Sequence, residues 1–218
     1  MKKYVFGDIH GCFNELTSLI DEIRPNLGVD KLIFLGDYID RGPNSYKVIR
    51  FLMDLQSKYG KDDIVLLRGN HEDMAIDYIN SGYSGNLNGY RDTYVDFLRN
   101  GDDVSNYLSF FQSLPLYYED DNFIYVHGGI LPGTPMHMQS SQDLLWIRNR
   151  FYESSALFHK TVFFGHTPTK NMLGVWAPFI QEDRIGIDTG CVYGGFLTAI
   201  EIIDDSRLIV HTSKKIAA

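Results

Sequence analysis

Five short apolar runs in this chain each end in a loop rich in Asp, Asn or His. The loops read Gly7-Asp8-Ile9-His10-Gly11, Gly36-Asp37-Tyr38-Ile39-Asp40-Arg41-Gly42, Gly69-Asn70-His71-Glu72, His127-Gly128-Gly129 and Gly165-His166-Thr167-Pro168. Asp8 and His10 stand two apart between glycines, so both side chains can converge on one ion. Asp37 carries two carboxylate oxygens and can bridge a pair of ions. Asn70, His127 and His166 offer an amide oxygen and two imidazoles to the second ion. Mixed Asp, His and Asn ligation without thiolates suits Mn²⁺, Fe²⁺ or Zn²⁺ in an open site rather than a closed structural zinc site. Two ions roughly 3.5–4 Å apart clamp a phosphoryl group and turn a water into hydroxide at neutral pH. The chemistry expected is phosphoester hydrolysis.

Taken singly, each of these residues has a plainer role, since an Asp after a strand is commonly a turn former or helix cap. The constellation is what argues otherwise. Of seven histidines, four (His10, His71, His127 and His166) fall in such loops, while His137, His159 and His211 have no comparable setting and are assigned nothing.

The elements that must position these loops are legible as strands and helices. Lys3-Tyr4-Val5-Phe6 reads as a buried strand that stops at Gly7. Phe13, Leu16, Leu19, Ile20 and Ile23 recur at helical spacing, and Pro25 ends that helix. A second strand over 31–35 and a third over 64–67 flank a helix whose inner face carries Val48, Ile49, Leu52, Met53 and Leu55, with Asn44 or Ser45 as its cap. Such alternation is the pattern of an α/β fold, in which ligands gather beyond the carboxyl ends of the strands. From Asp73 to Asn122 a Tyr-, Asn- and Gly-rich stretch reads as a mainly helical insert at the rim of the site, with helices over 90–98 and 104–114. Further strands are expected at 123–126, 161–164, 174–176, 184–187, 196–203 and 208–212. The last of them lie close enough together for antiparallel pairing. The 218 residues fit a single domain, 1–218, that carries this insert.

Composition narrows the setting. A hydrophobic fraction of 44% and a charged fraction of 22% are ordinary for a globular protein with a sizeable core. A net charge of −8 argues against a protein that grips nucleic-acid backbone. No run approaches the roughly 20 apolar residues of a membrane span, and the first apolar stretch ends at Asp8, short of a signal peptide's. A cytoplasmic location is expected, with no membrane partner. Cys12 and Cys191 are too few for a disulfide framework and are expected to be reduced.

Together with Leu67 and Arg68 ahead of the third loop, the series resembles the phosphoprotein phosphatase family of calcineurin-like metallophosphoesterases. The match covers the chain from Tyr4 to about Leu197. In length it is similar to the small bacterial and bacteriophage Ser/Thr protein phosphatases. The resemblance implies a β-sandwich of mixed sheets flanked by helices. It also implies two divalent ions, Mn²⁺ first with Fe or Zn possible, held by Asp8, His10, Asp37, Asn70, His127 and His166. By the same resemblance His71 protonates the leaving oxygen, Asp40 orients His71 and raises its pKa, and Arg41 binds phosphate oxygens beside Asn70. A second phosphate-binding arginine is implied in Leu144-Leu145-Trp146-Ile147-Arg148, which selects Arg148, with Arg150 as the substitute. Arg68 reads as structural, Asp188 as a support for the site's geometry and Cys191 as a packed residue. The mechanism implied is in-line attack by a metal-bridging hydroxide without a phosphoenzyme.

Two substrate classes share these motifs. A Ser/Thr protein phosphatase acting on phosphomonoesters is the first expectation. A symmetrical diadenosine-tetraphosphatase-like nucleotide hydrolase is the second, placed lower because such enzymes tend to be longer and because the sequence has no evident adenine-stacking region. A non-catalytic relative should have lost ligands, and none is missing. No regulatory subunit is indicated.

Overall fold

A computed structural model of the protein describes residues 1–83, 85 and 87–213. Tyr4, Val5 and Phe6 of strand β1 (Lys3–Phe6) are buried, and the helix α1 (Phe13–Ile23) that follows ends in a left-handed Arg24 ahead of Pro25. Then come β2 (Lys31–Phe34), α2 (Ser45–Tyr59), β3 (Ile64–Leu66) and α3 (Asn70–Ser81). The rim segment carries α4 (Tyr90–Arg99), a 3₁₀ turn over Val104–Tyr107, α5 (Leu108–Ser113) and β4 (Tyr117–Glu119). The second half holds β5 (Phe123–Val126), α6 (Ser141–Trp146), α7 (Asn149–Tyr152), β6 (Thr161–Phe164) and α8 (Thr169–Leu173). Strands β7 (Phe179–Ile180), β8 (Arg184–Gly186), β9 (Thr198–Ile203) and β10 (Arg207–Thr212) complete it.

Two five-stranded mixed sheets result, ordered β10-β9-β1-β2-β3 and β4-β5-β6-β8-β7. The parallel runs are β1-β2-β3 and β5-β6-β8; β9 pairs antiparallel with both β1 and β10, and β4–β5 and β7–β8 are antiparallel at the edges of the second sheet. Because side chains alternate across a strand, each sheet has two apolar faces to bury. Val5, Ile33 and Val65 of the first sheet meet Tyr125, Phe163 and Ile185 of the second in the layer between them. Tyr4, Phe6, Leu32 and Phe34 point the other way, against α1 and α2, and Val126, Val162 and Phe164 point toward α6 and α7. This is the sandwich of mixed sheets flanked by helices that the motifs imply.

Three expectations need correction. The Gly69-Asn70-His71-Glu72 segment is no loop beyond Gly69: Asn70 and His71 open α3. Residues 174–176 form no strand, because Gly174 adopts a left-handed conformation that closes α8, and pairing resumes only at Phe179. The helix expected over 104–114 divides into the 3₁₀ turn and α5. The rim segment packs onto the rest of the domain, with Tyr90, Phe97, Tyr107 and Phe111 entering the same core as α1 and α2. Among the described residues no helix is long and apolar enough to cross a membrane.

Candidate metal centre

The loops after β1, β2, β5, β6 and β8, together with the start of α3 after β3, converge at one edge of the two sheets. Their backbone is held in conformations that β-carbons resist. Of the nine non-glycine residues with positive φ among the described residues, five lie here: His10, Asp37, Asp40, Arg41 and His166. Left-handed backbone costs non-glycine residues energy and persists where surrounding structure enforces it, and such residues gather at this edge. Part of that enforcement is the buried Glu72, whose carboxylate accepts from the N–H groups of Asp37, Tyr38 and Gly69 at 2.8–2.9 Å.

Asp37 lies at the centre. Its Oδ1 is 3.3 Å from His127 Nε2 and its Oδ2 is 3.4 Å from His10 Nε2, so its two oxygens face two different clusters. In the second cluster, Asn70 Oδ1 is 2.9 Å from both His127 Nε2 and His166 Nδ1. Ligands held about 2.0–2.1 Å from one ion sit near this spacing. Asp8 lies beside them, its carboxylate accepting the His166 N–H at 3.0 Å. A β-carbon on Gly165 would fall 2.1 Å from Asp8 Oδ1, so only glycine fits there.

Three observations fit these residues to metal ions. His127 Nδ1 donates to the Leu35 carbonyl at 3.0 Å, which leaves a lone pair on Nε2 pointing at the Asn70 oxygen. Two acceptors facing each other at 2.9 Å repel unless a cation joins them. His166 Nε2 is buried without a partner. Burial also pushes the carboxyl of Asp188 up to about 7 and that of Asp8 upward, each aggravated by neighbouring carboxylates, a crowding that cations relieve.

The four site histidines separate by their partners. His10 Nδ1 donates to the Ile39 carbonyl at 2.7 Å, as His127 does to Leu35, so both present Nε2 to the centre. Burial drives His10 to about 3 and His166 to about 2, and lowers His127, leaving the neutral imidazoles that ligate metals. His71 is the exception. Its Nδ1 donates to Asp40 Oδ2 at 2.6 Å, and although burial opposes it, Asp37 and Asp40 together raise its pKa. Its Nε2 faces the centre, 3.9 Å from Asp37 Oδ2.

Asp40 is itself positioned by the rim segment. Thr93 Oγ1 on α4 donates to its other oxygen at 2.6 Å and accepts its N–H at 2.8 Å, while Ser45 Oγ also receives that N–H. Thr93 is not marked in the sequence, because no local pattern announces a contact across 53 residues, and Ser45, five residues from Asp40, reads there only as a candidate helix cap. Arg41 Nη1 is 2.6 Å from His10 Nε2. Arg148 reaches the His166 carbonyl and Thr167 Oγ1, both at 3.2 Å, which puts its guanidinium beside the second cluster. Arg68 is structural as expected, bound to Asp73 and to the Gln112 carbonyl. Cys12 and Cys191 are free thiols, and the Cys191 thiol is pushed up by its hydrogen bond with Cys12 and by burial.

Asp37 and Asp40 both raise His71, and replacing Asp40 by Asn removes the second of these charges. An acid must be protonated to act, so the high-pH limit of kcat is expected to move to lower pH in Asp40→Asn, read from a pH–kcat profile. An unmoved limit would detach His71 from that limb.

Comparison with known proteins places this geometry. The family model described as calcineurin-like phosphoesterase matches residues 1–178. A curated protein of Aromatoleum aromaticum, named bis(5'-nucleosyl)-tetraphosphatase, symmetrical, is 24% identical over an alignment of 280 residues that covers all of both chains. A solved structure provisionally named a diadenosine tetraphosphatase has a TM-score of 0.72 at 21% identity, covering 98% of this chain and 94% of that one. A Saccharomyces cerevisiae protein serine/threonine phosphatase with similarity to human PP5 has a TM-score of 0.70 at 18% identity, covering 100% of this chain and 81% of that one. Both structural likenesses concern the fold.

Proposed function

We propose a reaction from one premise: this chain belongs to the calcineurin-like phosphoesterase family. It is a metal-dependent phosphoesterase, and within that frame we assign Asp8, His10, Asp37, Asn70, His127 and His166 as the residues that hold two divalent ions, with Mn²⁺ the first choice. When bound, such ions polarise phosphoryl oxygens and make a water nucleophilic near neutral pH. The protein does the rest. His71, held by Asp40 and carrying its proton on Nε2 toward the centre, donates that proton to the oxygen that leaves phosphorus. Arg41 and Arg148 bracket the centre and bind the non-bridging oxygens, for which a planar guanidinium is well shaped. Arg41 turns from His10 to the substrate, because the His10 lone pair cannot serve a guanidinium and an ion at once.

The substrate we assign is a dinucleoside tetraphosphate. Water adds to an inner phosphorus, the central P–O–P bond breaks, and two nucleoside diphosphates leave, one of them taking the proton from His71. The observation that carries this choice is the full-length match to a symmetrical bis(5'-nucleosyl)-tetraphosphatase. It reverses the order expected from the motifs, in which a Ser/Thr protein phosphatase stood first. The relative is the longer chain, since an alignment of 280 residues spans all 218 residues of this one, so the length difference expected of such hydrolases remains and the choice rests on the extent of the match.

The test compares kcat/KM of the Mn²⁺-loaded protein on diadenosine tetraphosphate and on a phosphothreonine peptide. A preference of about a hundredfold or more for the dinucleotide is expected, equivalent to about 2.7 kcal/mol of transition-state discrimination. The reverse preference returns the protein-phosphatase reading, with the same metals and His71.

A further inference from the structure

A pair of aromatic side chains stands at the edge of the centre, and no motif accounts for it. Tyr193, in the turn after Asp188-Thr189-Gly190, is 48% exposed. Its ring lies 8° from parallel to the indole of Trp176, with centroids 6.5 Å apart. Trp176 comes from the irregular segment between α8 and β7 and is only partly buried. Its six-membered ring packs against two glycines: a β-carbon would fall 2.2 Å from its Cζ3 at Gly190 and 3.0 Å from its Cδ2 at Gly195. Gly190 has φ +69°, so the turn that seats the indole is doubly restricted to glycine.

Each end of the pair meets a cation. Arg41 Cζ is 5.6 Å from the Tyr193 ring centroid, and Lys170 Nζ is 5.2 Å from that of Trp176. Arg41 is also the residue that reaches His10 at 2.6 Å, so Tyr193 is one side chain from the centre. The raised Tyr193 hydroxyl is consistent with that place: burial comes first, with the charges of Asp188, Asp8 and Asp37 adding to it.

We propose that Trp176 and Tyr193 form a stacking platform for a nucleobase of the substrate, whose phosphates run from it past Arg41 into the metal centre. The assignment rests on the dinucleotide reading above and adds to it the place where a base is held. Parallel rings present faces in one orientation, so a flat base can lie parallel to both, and every base has a π-face. A phosphopeptide offers no flat group one side chain from its phosphate unless an aromatic residue happens to lie next to it. Guanidinium and ammonium groups at the two ends add electrostatic attraction to a polyphosphate. The seating glycines hold the indole before any ligand arrives, which lowers the ordering cost of stacking.

Trp176→Ala and Tyr193→Ala test the platform through the ratio of kcat/KM on diadenosine tetraphosphate to that on p-nitrophenyl phosphate, which has no nucleobase. Each substitution is expected to lower this ratio on the order of tenfold, the scale of losing one base–aromatic stack. A second readout needs no turnover. By calorimetry, wild-type protein is expected to bind adenosine diphosphate more tightly than inorganic pyrophosphate, and the difference to shrink on the order of tenfold in either variant. Tyr193 is half exposed, so Tyr193→Ala keeps the test open if Trp176→Ala does not fold. An unchanged ratio together with an unchanged binding difference overturns the platform and leaves dinucleotide hydrolysis standing. A wild type that neither hydrolyses diadenosine tetraphosphate nor prefers adenosine diphosphate to pyrophosphate overturns both. A wild type inactive on the dinucleotide whose preference for adenosine diphosphate depends on Trp176 and Tyr193 overturns only the substrate reading and supports the platform.

Discussion

His71→Asn is expected to reduce kcat on the order of 10²–10⁴-fold while the protein keeps both ions, measured by steady-state kinetics alongside elemental analysis. The two readouts must part because His71 is the site histidine whose Nδ1 is committed to a carboxylate, Asp40, at 2.6 Å. Its Nε2 stands 3.9 Å from Asp37, farther than the corresponding atoms of His10 and His127. An asparagine keeps a polar group beside Asp40 but cannot deliver a proton. Dependence on the leaving group sharpens the result. Nitrophenolate and a nucleoside diphosphate are both weakly basic and leave with little help, so p-nitrophenyl phosphate and the anhydride should each lose less rate than an alkyl phosphate. Equal losses on all three, or loss of metal with loss of rate, would assign His71 to the ligand set instead.

Asp37→Asn should have the larger effect on the centre itself. Both carboxylate oxygens are engaged: Oδ1 accepts the His71 N–H at 3.0 Å and faces His127, while Oδ2 faces His10. An amide keeps one oxygen and turns an NH₂ group, a donor without a lone pair, toward the other cluster. Fewer than two ions per chain are expected by elemental analysis. The loss of activity should exceed the roughly 10–100-fold typical of residues that only orient a ligand. Full retention of two ions would refute the bridging assignment. Circular dichroism separates this from unfolding, since the apolar layers of the sandwich do not include Asp37.

The loops were readable because each follows an apolar run of strand character and contains a glycine, and strand ends are where an α/β fold gathers its chemistry. Lys3 to Phe6 and Phe13 to Ile23 carry their periodicity on their faces. What the sequence hid has a common cause, which is separation along the chain. Thr93 lies 53 residues from the Asp40 it holds, and Glu72 reaches back 35 residues to the Asp37 backbone. Trp176 and Tyr193 sit in different segments, so no stretch of sequence displays the aromatic pair that the fold brings together. The strand expected over 174–176 failed for a local reason: Val175 and Trp176 are apolar, but the left-handed Gly174 before them and Pro178 after them deny the segment an extended ladder. The helical start of α3 was missed because Gly69-Asn70-His71 reads as a turn, whereas Glu72 caps the Gly69 N–H at 2.9 Å and starts the helix there.

The most direct measurement is a titration of chelator-stripped protein with Mn²⁺, following metal bound per chain by elemental analysis and hydrolysis in the same samples. The stripped protein is expected to be folded and inactive, with activity returning as binding approaches two ions per chain. Hydrolysis by the stripped protein, or full activity at one ion per chain, would contradict a centre built from Asp8, His10, Asp37, Asn70, His127 and His166.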